Sequence, residues 1–146
     1  MQITRQADYA VRAVLFLAQR GSGARVSTAQ VAQEQHIPPT FLAKIISQLS
    51  TAGVVRATRG ARGGITLARQ PEEISLLEIV EAIDGPVSLN ECTHDPGLCI
   101  MGDACAVREV WCDVRAELVS RLKKTTFDQL IQPIVTVPVE IVPAAV

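Results

Sequence analysis

Between Ser27 and Leu67 the chain carries a helix start, a turn, a second helix start, a stop and a hairpin in quick succession, and few folds accommodate that order. Ser27-Thr28-Ala29-Gln30 is a capping box, with Ser27 as N-cap and Gln30 at N3, and it predicts a short helix to about Gln35. A tight turn at His36-Ile37 follows. Pro38 and Pro39 open a second helix, with Pro39 at N1, where an N–H would have no partner anyway. This helix is expected to run to about Ala52 and to stop at Gly53. Leu42, Ile45, Ile46 and Leu49 share one face, which leaves Thr40, Ala43, Lys44, Ser47 and Gln48 on the other. Two short helices across a tight turn, the second with a polar and basic outer face, read as a helix-turn-helix. The expected DNA contacts are Ser27 and Thr28 on the first helix and Pro39, Thr40, Lys44, Ser47 and Gln48 on the second.

Val54 to Thr58 and Ile65 to Leu67 then predict the strands of a hairpin, separated by Arg59-Gly60-Ala61-Arg62-Gly63-Gly64. The glycines permit turn dihedrals closed to other residues, and Arg59 and Arg62 put two guanidinium groups at the tip. Directly after a helix-turn-helix, a basic hairpin is a wing, so Arg59, Arg62 and Gly63 join the candidate contacts to a minor groove or flanking phosphates. A nucleotide-binding loop is a poor rival, because no helix follows the glycines.

The flanks extend this plan. Thr4 caps a predicted helix from about Arg5 to Arg20, apolar at Val11, Val14, Leu15 and Ala18, with Phe16 and Leu17 widening the stripe. Ser75-Leu76-Leu77-Glu78 is another capping box and opens a helix to about Ile83, closed by Gly85. Asp103 is placed to cap a long helix from about Ala104 to Lys124. Within it Val107, Trp111, Val114, Leu118 and Leu122 recur at intervals of four, three, four and four. One helix cannot bury such a seam alone, which predicts a homodimer. Thr126-Phe127-Asp128-Gln129 signals a last turn or two. The stretch from Gln132 to Val146, with Pro133, Pro138 and Pro143 among valines, suits an edge strand or a disordered tail.

The fold class expected is therefore mainly α with a small β wing. It divides into a winged helix-turn-helix domain at 1–84, a cysteine-rich loop at 85–103, a dimerisation helix and short terminal helix at 104–131, and the tail at 132–146. Charge supports the division. Residues 1–70 hold nine Lys or Arg against two acids, and residues 71–146 hold five against thirteen. A basic front half suits a polyanion partner, the plain alternative being two solvated faces of opposite sign. With 48% hydrophobic and 20% charged residues the chain is globular in composition. Neither a signal peptide nor a membrane span is expected, so the predicted location is cytoplasmic.

All four cysteines, Cys92, Cys99, Cys105 and Cys112, fall in one stretch, and the 91 residues before it contain none. Buried cysteines used as small hydrophobes would scatter. In a reducing compartment, clustered thiols point to ligands or redox groups rather than two structural disulfides. The spacing C-x6-C-x5-C-x6-C lacks the close pairs of structural zinc sites. Wide spacing suits an iron-sulfur cluster, whose ligands sit on different irons. Pro96, Gly97 and Gly102 interrupt regular structure between the first three cysteines and leave a loop able to wrap a cofactor. Zinc and thiol chemistry stay open as alternatives.

With helix-turn-helix, wing, cysteine loop and long helix in this order, the chain resembles the IscR, NsrR and RirA family of bacterial iron-sulfur transcription regulators. The resemblance covers Met1 to about Ile131. Its most specific pieces are Asp8-Tyr9-Ala10-Val11-Arg12, Phe41-Leu42-Ala43-Lys44-Ile45, Ala52-Gly53-Val54-Val55, Arg59-Gly60-Ala61-Arg62-Gly63-Gly64, Leu67-Ala68-Arg69 and the three-cysteine loop. It implies a homodimer on double-stranded promoter DNA. It also implies an affinity set by a cluster, 4Fe-4S favoured over 2Fe-2S, that senses nitric oxide, iron supply or redox state. It implies Cys92, Cys99 and Cys105 as ligands. For the fourth, the IscR-like pattern has histidine where this chain has Arg108, whereas the NsrR-like pattern takes an aspartate from the partner subunit's first helix, matching Asp8. Cys112 is the departure: two helical turns separate it from Cys105, roughly 10 Å along the axis, too far for one compact cluster. Cys112 is then expected as a buried thiol beside Trp111, while Glu109, His94 and an exogenous thiol or water remain other candidates for the fourth position.

A thiol- or zinc-based regulator of the same fold, or an iron-sulfur carrier that does not bind DNA, are the rival readings. Enzyme function has no support. Two histidines, no recognisable nucleophile-base spacing and no phosphate loop leave nothing on which to build a mechanism.

Overall fold

The computed structural model describes residues 1–131; the Pro/Val-rich tail expected at 132–146 lies outside them. Helix α1 (Arg5–Gln19) is the centre of the fold, and α3 (Pro39–Thr51), α4 (Leu76–Asp84) and the C-terminal turn α7 (Phe127–Leu130) all pack on it. Its start is fixed from two sides. The Thr4 hydroxyl accepts the Ala7 N–H at 3.1 Å, and the Thr4 N–H and hydroxyl donate to the Asp84 carboxylate at 3.2 and 2.6 Å. A single residue thus caps α1 and ties it to the end of α4.

Helix α2 (Thr28–Glu34) begins where the capping box predicts, but only half the box forms. Ser27 accepts the Gln30 N–H at 3.1 Å, while the Gln30 amide turns outward to Glu34 at 2.7 Å. The turn into α3 is made by His36 at φ 51, a left-handed conformation for a non-glycine residue, and the Ile37 N–H reaches back to the Ala32 carbonyl at 2.9 Å. Gly53, at φ 73, ends α3 as expected.

Strands β1 (Val55–Thr58) and β2 (Gly64–Leu67) pair antiparallel, Val55 opposite Leu67 and Thr58 opposite Gly64. The hairpin does not stand alone. Val26 and Ile65 exchange backbone hydrogen bonds of 3.0 and 2.7 Å, so the residue before Ser27 forms a third rung and sews the wing to the helix-turn-helix. Val54, expected as the first strand residue, is instead a fully buried link whose N–H bonds the Leu49 carbonyl.

After α4 the chain passes through α5 (Glu91–His94) and two 3-10 turns, Pro96–Leu98 and Gly102–Ala104, into the long helix α6 (Ala106–Lys124). Helix α6 starts two residues later than the sequence suggests. Asp103, the expected cap, sits in the second 3-10 turn and pairs with Arg108, and Cys105 takes the cap position without a side-chain bond. No residue of α6 is buried; Val107, Val110, Trp111 and Val114 are 41–56% exposed. The chain then returns. Leu76 N–H donates to the Thr125 carbonyl at 2.8 Å, Phe127 N–H donates to the Ile74 carbonyl at 3.1 Å, and the Phe127 ring is completely buried with Leu17, Leu42, Ile45 and Ile79 in one core. Thr126 heads α7, though its hydroxyl bonds Asp128 rather than closing the expected box.

Candidate functional site

Helix α3 buries Leu42, Ile45, Ile46 and Leu49 and leaves Pro39, Thr40, Ala43, Lys44 and Ser47 exposed, so one face of one helix is given over to an outside partner. Thr28 is exposed beside it on α2, while Ser27 is committed to capping. Gln48 departs from the expectation. It is half-buried and its side-chain oxygen accepts the Gln6 amide at 2.6 Å, which ties α3 to α1 and engages the group that would read a base.

Between α3 and β1 runs an open concave face lined by Ser47, Thr51, Arg56, Thr58 and Arg59. Lys44, Arg56, Arg59 and Arg62 are exposed and make no ion pair among the described residues, whereas Arg12, Arg20, Arg69 and Arg108 are paired with Asp8, Glu34, Glu78 and Asp103. Unpaired cations on a concave surface are what a phosphate backbone requires. Arg56 is absent from the contacts that the sequence suggests. Its signal is the period of two in β1, where Val55 turns inward and Arg56 outward. Arg25 is a second addition: its guanidinium donates to the Arg62 carbonyl at 2.6 Å and braces the wing tip from the segment before α2.

Gly63 acts through backbone space. A Cβ there would press on the Thr58 and Gly60 carbonyl oxygens, the latter at 2.7 Å, while the Gly63 N–H bonds that same Gly60 carbonyl at 2.8 Å. Gly63→Ala is therefore expected to open the wing tip and weaken DNA binding at least about fivefold (~1 kcal/mol) with the helical circular dichroism unchanged. A titration against promoter DNA alongside the spectrum checks this. Wild-type affinity would remove Gly63 from the interface.

Asp8 lies in the first turn of α1, its side chain 60% exposed, with Arg12 Nε at 3.3 Å in an ionic contact that is not an aligned hydrogen bond. Arg12 is the more constrained partner: Nη1 donates to the Gln35 carbonyl at 3.0 Å and the guanidinium lies 4.8 Å from the Tyr9 ring centre. The carboxylate of Asp8 is thus one side chain away from the turn between α2 and α3.

Cys92 is on α5, Cys99 follows the first 3-10 turn, Cys105 caps α6 and Cys112 lies within α6; all four are free thiols and all are half-exposed. The expectation that Cys112 would be buried beside Trp111 is corrected, because α6 has no core around it and Trp111 is itself 41% exposed. Among the described residues no three His, Cys, Asp or Glu side chains of the single chain converge as a metal site. His94 and Glu109 are exposed on α5 and α6. Arg108 occupies the middle of this region. Its hydrogen bond to Asp103 holds its pKa above the ordinary arginine value, and charge on Asp103, Cys112 and Cys92 adds to the effect.

A helix-turn-helix with an unpaired basic face, flanked by a basic hairpin and backed by a helical core, defines a winged-helix DNA-binding regulator. Its sequence matches the profile of the Rrf2 family, described as iron-dependent transcriptional regulators, over residues 3–133. The chain belongs to that family. It is 40% identical over 126 residues to a protein of Mycobacterium tuberculosis described as a putative HTH-type transcriptional regulator, covering 86% of this chain and 78% of that one. It is 32% identical over 132 residues to the HTH-type transcriptional regulator NsrR of Shouchella clausii, covering 90% and 89% of the two chains. In three dimensions it resembles CymR, the global cysteine regulator of Bacillus subtilis, at a TM-score of 0.77 and 27% identity, covering 90% of this chain and 96% of that one. These relatives are transcriptional regulators and not enzymes. No helix among the described residues is long and apolar enough to cross a membrane.

Proposed function

We propose that the protein is a cytoplasmic homodimeric regulator whose affinity for double-stranded promoter DNA is set by an iron-sulfur cluster, 4Fe-4S in preference to 2Fe-2S, held by Cys92, Cys99, Cys105 and the partner subunit's Asp8. The observation that carries this reading is the state of the thiols. Three free, half-exposed cysteines sit on short turns outside the core, in the segment that joins the winged core to an exposed apolar helix face. That donor set fits a soft-metal cofactor, since thiolates favour iron-sulfur clusters and no disulfide competes for them. Similarity to NsrR supports the same cofactor class. Bound there, the cluster would supply an iron reactive towards nitric oxide or oxygen, most readily at an oxygen ligand.

The rest of the device belongs to the chain itself. In this single chain the donors do not converge, so the loop must close and a second subunit must approach before the set is complete. The exposed Val107, Val110, Trp111 and Val114 give that subunit an apolar face to cover. Engagement of Asp8 by the other subunit competes with its contact to Arg12, and Arg12 holds the Gln35 carbonyl at the helix-turn-helix turn. Loss of the ligand role frees Asp8 to return to Arg12. The position of α3 against DNA then depends on the loop, which is the required coupling.

Native mass spectrometry of the anaerobically reconstituted dimer tests the assignment. Wild type is expected to carry one cluster per subunit; Asp8→Ala is expected to lose cluster or hold it weakly, and Cys112→Ala to match wild type. Absence of iron, sulfide and visible charge-transfer absorption in the reconstituted wild type sinks the reading in favour of a thiol- or zinc-based regulator. A full cluster in Asp8→Ala with loss in Cys112→Ala would move the fourth ligand to Cys112.

A further inference from the structure

Cys112 has no part in the ligand set above, and its surroundings are not those of a packing residue. It is half-exposed on α6, one turn beyond Arg108, and Cys105, Arg108 and Cys112 line one open hollow of about 400 Å³. Helix α5, which carries Cys92, packs against α6. The Arg108 guanidinium is fixed by Asp103, its Nε has no hydrogen-bond partner among the described residues, and its charge acts on two thiols, Cys112 on its own helix and Cys92 on the neighbouring one. Cys105 shares the hollow yet cannot bond Cys112. Seven residues of α6 hold the two about 10 Å apart along the axis, beyond the Cα separation of about 7 Å that a disulfide tolerates. Cys92 comes from a separate packed element and is under no such restraint.

We propose that Cys92 and Cys112 form a reversible disulfide within one chain when the protein is free of iron, with a peroxide as oxidant. One thiol, as its thiolate, attacks the O–O bond of the peroxide, becomes a sulfenic acid and expels hydroxide, which takes up a proton to leave as water. The second thiol displaces the sulfenic oxygen as another water, and the S–S bond closes. Two thiols lose two electrons in all, and hydrogen peroxide is reduced to two waters. Arg108 supplies positive charge beside the developing hydroxide. The bond removes Cys92 from the ligand set and pins α5 to α6, so the loop cannot rebuild a cluster until a dithiol reduces it. That consequence rests on the cluster reading; the disulfide itself does not.

The test uses the full chain, stripped of metal by chelation under reductant and then exposed to hydrogen peroxide. Non-reducing peptide mass mapping is expected to find Cys92 joined to Cys112 with the loss of two hydrogens, and Cys112→Ser and Cys92→Ser are expected to lose that linkage. Cluster reconstitution with ferrous iron and sulfide is expected to fail in the oxidised wild type, to recover after dithiothreitol, and to succeed in peroxide-treated Cys112→Ser. Cys112 remaining alkylatable, a bond from Cys92 to Cys99 or Cys105, or a covalent dimer through Cys112 would each overturn the proposal. If the reduced wild type takes up no cluster at all, the functional reading fails, and the peptide map still decides on the disulfide.

Discussion

Phe127→Ala is expected to lower the stability of the protein by about 3–5 kcal/mol, the usual cost of emptying a fully buried aromatic site. Phe127 is 0% exposed and packs from α7 into the core shared with Leu17, Leu42, Ile45 and Ile79. The site cannot readily collapse. The backbone on either side is held by the bonds from Leu76 to Thr125 and from Phe127 to Ile74, so the surrounding atoms stay in place and the cavity persists. Urea unfolding followed by circular dichroism measures the effect. A loss below about 1 kcal/mol would show that α7 rests on the core without completing it. The larger loss would mean that the end of α6 is anchored to the DNA-binding core, and that a movement of α6 is felt at α1 and α4.

The double variant Lys44→Ala, Arg59→Ala is expected to weaken promoter binding by about 1–3 kcal/mol for each base-edge interaction removed, or roughly five- to 150-fold apiece. The slope of its salt dependence is expected to fall by about one unit for each phosphate no longer neutralised. Both side chains are exposed, and neither makes an ion pair among the described residues, so their removal leaves the fold without an orphaned partner. The cluster spectrum should not change, because both residues belong to the helix-turn-helix and wing and neither belongs to the cysteine segment. Fluorescence anisotropy over a salt series with labelled promoter DNA separates the two contributions. Unaltered affinity and slope would favour an iron-sulfur carrier that uses its winged domain to dock a protein.

Much of the DNA-binding half was legible in the chain because its signals are local. Ser27, Pro39 and Gly53 mark helix ends through their own backbone chemistry, and Leu42, Ile45, Ile46 and Leu49 mark the inner face by period alone. Legibility failed where a side chain had two competing partners. Gln30 bonds Glu34 instead of closing its box, Asp103 pairs with Arg108 instead of capping α6, and Gln48 bonds Gln6 instead of facing outward. Each alternative partner wins through a proximity that propensity rules do not encode. Arg56 escapes notice for another reason: one arginine in a short strand carries no motif, and only the pairing register turns it towards the concave face.

The sequence by itself determined the class of fold, the recognition helix and wing, and the confinement of all four thiols to one segment, since caps, prolines, glycines and hydrophobic period act over a few residues. Tertiary structure alone decided three things. It returned the chain after α6 to bury Phe127 in the winged core, it set Arg12 between Asp8 and the Gln35 carbonyl, and it brought the charge of Arg108 to bear on both Cys92 and Cys112. Each of these joins residues distant in sequence or on different elements. Their meeting depends on the energy of the whole core, and no local pattern can record it.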